Sequence, residues 1–358
     1  MMKKIFLALL FTIISSLFLY SEDTNWVIRI RDSQGNVKKL MTVQDCLSEI
    51  SNLTVLRGAP NDAVNLLLTN EFQLWQFSSQ IIEQELVYLK AVEEGYDKDE
   101  EVLKLISKER DNQLSQLYMQ EKVSDDFAVV TDAEKRKFFN DNRAKIQASV
   151  GPNVTYEQIA MEIETTILQE RMRNEYDKIL ESAKTNYNLK YSVTADPCIT
   201  IEDKTVPLSE FNDMFNESLK QAGANIPAAL RIQARDGMFK AFVAREVMMY
   251  EAKKSGFYDT PQAKSIENFL TRSAVTANYI DKTIRSSIPK PTEEEINLAY
   301  EKYGKMYNID SLPYADAQKA LATLVTESKT QQKYQILVTD LRYRHNIEKN
   351  LDLLLNKN

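Results

Sequence analysis

Three side chains in this sequence carry imidazole or thiol chemistry: His345, Cys46 and Cys198. A His/Cys metal site needs three or four such ligands brought together, so none is expected here. A Ser-His-Asp arrangement would have to recruit His345 from the basic stretch Arg342-Tyr343-Arg344-His345. No nucleophile-elbow motif accompanies it, and no Gly-rich phosphate loop occurs. Carboxylates are abundant at Glu93-Glu94, Asp97, Asp99-Glu100-Glu101 and Glu293-Glu294-Glu295. Runs of that kind are solvated faces or the charged first turns of helices. No catalytic residue, no metal ligand and no cofactor is therefore expected.

The side chains that stand out are soft and apolar. The second half of the chain holds Met214, Met238, Met248 and Met249 beside Phe215, Phe239 and Phe242; the first half holds Phe72, Trp75, Phe77 and Tyr88. Methionine is flexible and polarizable, so a surface that mixes it with aromatics adapts to varied apolar partners. The candidate peptide-contacting set is Trp75, Phe77, Phe215, Met238, Phe242, Met248 and Met249. The competing reading is that these residues form the chain's own core, which is the default at helical spacing. Helix 228–255 is apolar around more than one face. It must be deeply buried or expose a patch that binds something.

The elements that position these residues are written twice. Gly95 and Gly256 lie 161 positions apart, and the same offset joins Glu85 to Glu246, Ala91 to Ala252, Tyr118 to Tyr279, Thr131 to Thr292, Glu134 to Glu295 and Phe139 to Tyr300. A constant offset over roughly 60 residues reads as one duplicated unit. Each copy is expected to open with a short β element, over 26–30 and 37–41 in the first and 198–201 and 205–208 in the second. A main helix follows, over about 62–94 and 228–255, and stops at glycine as a left-handed C-cap. A second helix reaches about 122 and 284. Capping boxes at Thr131 and Thr292 start a third, and a long helix over about 155–185 and 314–345 closes each copy. Residues 188–193 read as a last strand returning to the opening β element.

Bulk properties agree. Only eight glycines occur in 358 residues, which leaves few positions for turns that require positive φ, so the chain is expected to be mainly α with small strand elements. Residues 1–21 match a secretory signal peptide: Lys3 and Lys4, then an uncharged apolar run, then Ser21. The run is short for a membrane span. Without this segment the balance is 43 basic against 52 acidic residues, net −9. That opposes nucleic acid as a partner, because a phosphate lattice demands a basic face. The domain expectation is 1–21 signal peptide, 22–193 first helical module, 194–358 second. In an exported chain a single Cys46–Cys198 bridge is open to formation, the alternative being two buried thiols.

The main helix over 242–256 followed by the capped helix over 292–300, and their weaker counterparts over 81–95 and 131–139, resemble the helical module of the SurA/PrsA family of exported chaperones. The resemblance covers both halves. In that family a parvulin prolyl-isomerase domain of about 100 residues usually sits between the capped Tyr helix and the closing helix. Here roughly 15 residues separate them, and the histidine pair of a parvulin site is missing. The resemblance thus implies the chaperone scaffold without the isomerase.

The expected function is an ATP-independent, exported (periplasmic) holdase that binds unfolded secreted or outer-membrane polypeptides through apolar helical surfaces. Burial of a few hundred Å² at ~25 cal/mol per Å², less the ordering cost, would give micromolar capture. The alternatives are a prolyl isomerase relative with residual activity and a non-catalytic assembly scaffold with one fixed partner. A homodimer formed by exchanged closing helices fits either binding reading.

Overall fold

The computed structural model describes residues 25–57, 66–122, 129–222, 228–306 and 309–355. The expected signal segment, 1–21, and the first four residues of the helix expected over about 62–94 lie outside them; among the described residues the main helix begins at Glu71, behind its N-cap Asn70, later than expected. The described chain is mainly helical with small antiparallel strand elements. It divides into two compact units. Unit 1 comprises Met1–Arg110 and Pro261–Asn358, and unit 2 comprises Asp111–Thr260.

In unit 1, β1 (Trp26–Arg31) and β2 (Val37–Thr42) form a hairpin, followed by α1 (Val43–Arg57) and the long α2 (Glu71–Glu93). The hairpin turns at Gly35, φ +85°. Asp32 accepts the backbone N–H of Gln34 and of Asn36, each at 2.9 Å. Asn70 starts α2 by accepting the Gln73 N–H at 3.0 Å. Gly95 stops it in the left-handed region, φ +83°, where glycine escapes the Cβ clash that other residues meet. Then α3 (Glu100–Lys122) starts on Asp99, whose Oδ1 accepts the Glu101 N–H at 3.0 Å. The unit is completed by α9 (Pro261–Tyr279), α10 (Glu293–Tyr303), α11 (Tyr314–Arg344) and β6 (Asn346–Lys349). Its core joins Val27, Ile28 and Ile30 to Leu74, Ile82, Leu86, Val275 and Leu341. Ala299, Ile309 and Leu321 make a second small core between α10 and α11.

Unit 2 takes the end of α3, then α4 (Asp132–Asp141), α5 (Arg143–Val150), α6 (Tyr156–Asn186), β3 (Lys190–Tyr191), β4 (Ile199–Ile201), β5 (Lys204–Val206), α7 (Leu208–Ala222) and α8 (Ala228–Lys254). Gly256 ends α8 at φ +76°. The capping boxes expected from sequence are formed at both Thr131 and Thr292, with Glu134 and Glu295 returning a carboxylate to the cap N–H. Phe211 centres an aromatic core, with ring centroids 4.9 Å from Phe239, 5.5 Å from Phe242 and 5.9 Å from Phe215.

The compact units are cut differently from the sequence halves 22–193 and 194–358. Each unit takes its hairpin and main helix from one half and its closing helices from the other. The strand expected over 188–193 forms at Lys190–Tyr191, but it pairs with β4 (Tyr191↔Ile199) and not with the first hairpin. That hairpin gains β6 from the far end of the chain (Ile30↔Ile347). The connection from β3 to β4 is short, so closing it costs little chain entropy, and it places β3 beside the second hairpin first.

The exchange is visible in the aromatics. Tyr96, directly after Gly95, meets Tyr279 edge-on at 5.1 Å. Phe257, directly after Gly256, meets Tyr118 edge-on at 5.4 Å. Each contact joins a residue of one half to a residue of the other, and the two contacts are related by the 161-residue offset.

Candidate apolar binding site

Within unit 2 one helix face gathers the methionines. On α8, Met238, Ala241, Phe242, Arg245 and Met248 recur at spacings of three and four, which puts them on one side of the helix. Met119 of α3, Tyr176 of α6 and Met214 of α7 meet that face, and together they line a recess of about 260 Å³. Phe242, 2 % exposed, is rooted in the aromatic core; Met214 and Met238 are half-buried. The recess therefore has a rigid aromatic base and flexible thioether walls.

Its polar edge is fixed. Arg245 donates from Nη1 to Asn112 Oδ1 at 3.1 Å and from Nη2 to Glu246 Oε1 at 2.8 Å. Its guanidinium lies 4.8 Å from the centre of the Phe242 ring. Its Nε is buried with no acceptor. Ser115 turns its hydroxyl back to the Asn112 carbonyl at 2.8 Å, so it offers little to an occupant. Burial pushes the Tyr176 phenol above its ordinary pKa and keeps it neutral.

Three of the seven sequence candidates, Met238, Phe242 and Met248, line this recess. Phe215 and Met249 do not. Both are buried, with Phe215 stacked on Phe211. Trp75 and Phe77 belong to unit 1. Phe77 packs half-buried against that unit's core. Trp75 is 53 % exposed and borders an open depression with Phe72, while the Lys349 ammonium sits 4.9 Å from its ring centre. Sequence reasoning missed Met119, Tyr176 and Arg245. Met119 and Tyr176 come from the other half of the chain, and no local pattern announces which half a helix will pack against.

Three further groups carry thiol or imidazole chemistry. Burial pushes the Cys46 thiol up to about 12, with Asp45 and Glu49 adding to the effect. Burial also raises Cys198. Both are free and buried thiols, one in each unit, and neither supplies thiolate at neutral pH. His345 Nδ1 lies 2.8 Å from the Leu341 carbonyl oxygen at the end of α11. Among the described residues no group of three or more His, Cys, Asp or Glu is placed to hold a metal ion. Among the same residues no helix is long and apolar enough to cross a membrane.

No protein-family model, no curated protein and no solved structure matches this chain.

Proposed function

We propose that the protein is an exported, ATP-independent holdase that grips apolar side chains of unfolded polypeptides. The observation that carries this reading is the methionine-walled recess over Phe242. It has no charged group other than Arg245, and Arg245 is already committed to Asn112 and Glu246. The buried Arg245 Nε adds a donor that a client's backbone carbonyl would satisfy. A further apolar surface at Phe72 and Trp75 on unit 1 supplies a second contact.

Magnitude sets the mode of action. A recess of this size takes one or two side chains, and burying one contributes roughly 1.5–3 kcal/mol. Micromolar capture requires about 8 kcal/mol. One recess thus gives a transient hold, and a client held at micromolar strength needs several contacts along its length. Such a grip releases without nucleotide hydrolysis.

The test is suppression of aggregation of several unrelated denatured proteins, followed by light scattering without ATP. A photoreactive residue at position 238 should capture client peptides, and Met238→Glu should weaken suppression while leaving the circular dichroism melt in place. Failure to suppress any client, together with recovery of a single stoichiometric partner, would replace the holdase by an assembly scaffold.

A further inference from the structure

Unit 1 contains a cavity of about 400 Å³ walled by β2, α1, α2 and α9. Its charged lining is Lys39, Asp45, Glu49, Glu85, Lys264 and Arg272, three of each sign. Arg272 is buried and donates to both Glu49 and Glu85, the latter at 2.6 Å. Lys39 lies 3.4 Å from the same Glu85 oxygen, Oε1. The other oxygen of Glu85, a residue 0 % exposed, has no hydrogen-bond partner.

An unpaired oxygen is not a requirement of the fold. Glu246, at the offset of 161 in unit 2, has both oxygens engaged, Oε2 by Lys204 at 2.7 Å and Oε1 by Arg245 at 2.8 Å. The residue corresponding to Arg245 in unit 1 is Gln84, and Arg272 stands where unit 2 has Asp111. Unit 1 thus draws its second cation from α9 and leaves one carboxylate oxygen open. A buried acceptor without a donor is costly, and the cost is recovered when a donor arrives.

We propose that this cavity binds a small uncharged polyhydroxylated molecule of monosaccharide size, with one hydroxyl donating to Glu85 Oε2. The lining charges cancel, so a net-charged occupant gains nothing from them. The missing partner is a donor. Ser265, Thr271 and Asn268 offer the mixed donors and acceptors that ring hydroxyls require, and Tyr88 offers a partly buried aromatic wall. The volume lies in the range of small-ligand sites. Lys39, about a third exposed, is a long flexible side chain that yields to the incoming group.

The test uses the full chain with D-glucose, D-galactose, D-mannose and N-acetylglucosamine, by saturation-transfer NMR and calorimetry. At least one should bind. Asn268→Trp, at an exposed position on α9, should fill the mouth and abolish binding with an unchanged melt. Glu85→Gln should weaken binding by roughly tenfold or more, since it removes a charged acceptor. If Glu85→Gln does not fold, Asn268→Trp decides alone. Binding by none of the four sugars, binding that survives Asn268→Trp, or displacement of the bound sugar by L-arginine or glycine betaine would overturn the proposal.

Discussion

Arg272 holds two largely buried carboxylates: Glu49 is 9 % exposed and Glu85 0 %. Burial acts against the guanidinium charge, but Glu49 and Glu85 outweigh it and raise the arginine pKa. Removing the cation alone takes the Arg272 partner from Glu49 and leaves Glu85 with the longer contact to Lys39 at 3.4 Å. Arg272→Met is expected to cost about 3–5 kcal/mol in urea unfolding, while replacing all three by apolar residues of similar volume should restore most of it. Asp99 sets a separate dependence on acid. Its hydrogen bond from Lys282 and the backbone N–H groups of α3 hold its carboxyl down at about 2. A group whose pKa is lower folded than unfolded stabilises above its ordinary value and loses that contribution as pH falls toward the folded one. Wild type should therefore lose stability between about pH 4 and about pH 2 more steeply than Asp99→Asn, read from melting temperatures across that window. In the sequence Asp99 stands only in a carboxylate run of the kind found in first turns of helices, whereas Lys282 reaches it from 183 positions away.

At the scale of elements, local chemistry wrote most of the plan. Both main helices stop at a left-handed glycine, and both third helices begin with a reciprocal Thr–Glu cap. These signals depend on residues three or four apart, so the chain carries them without help from tertiary structure. A Cβ at residue 256 would meet nothing within 4 Å. The cost of Gly256→Ala is then backbone strain alone, about 1–2 kcal/mol, visible as a fall in melting temperature with unchanged helicity. The second helix departs modestly from its expected end at 284: α9 stops at Tyr279 and residues 280–284 widen into a π-helical turn. Nothing in the periodicity separates those two forms of helix.

At the scale of the molecule, the halves exchange elements. Residues 111–260 form unit 2 as one continuous stretch, whereas residues 22–193 cut through both units. The fragment 111–260 should therefore unfold cooperatively by circular dichroism. The fragment 22–193 should not form a compact monomer, because β1 would lack β6 and Tyr96 would lack Tyr279. A compact monomeric fragment 22–193 would mean that each half closes on itself. The recess follows the same logic: its α8 face lies in one half, while Met119 and Tyr176 arrive from the other.

The sequence by itself determined the main, capped and closing helices, their caps, the two hairpins and the soft character of α8, because these rest on neighbours along the chain; α5 carries no side-chain cap and is not among the expected helices. Tertiary structure decided which half each closing helix and third strand would join. It also decided which of the methionines would wall a recess and which, like Met249, would be sealed in the core. Matched signals at an offset of 161, such as Gly95 with Gly256 and Thr131 with Thr292, offer two candidate partners for the elements that carry them. Hydrophobic periodicity is the same for both, and only connection length and side-chain fit in the folded chain separate them.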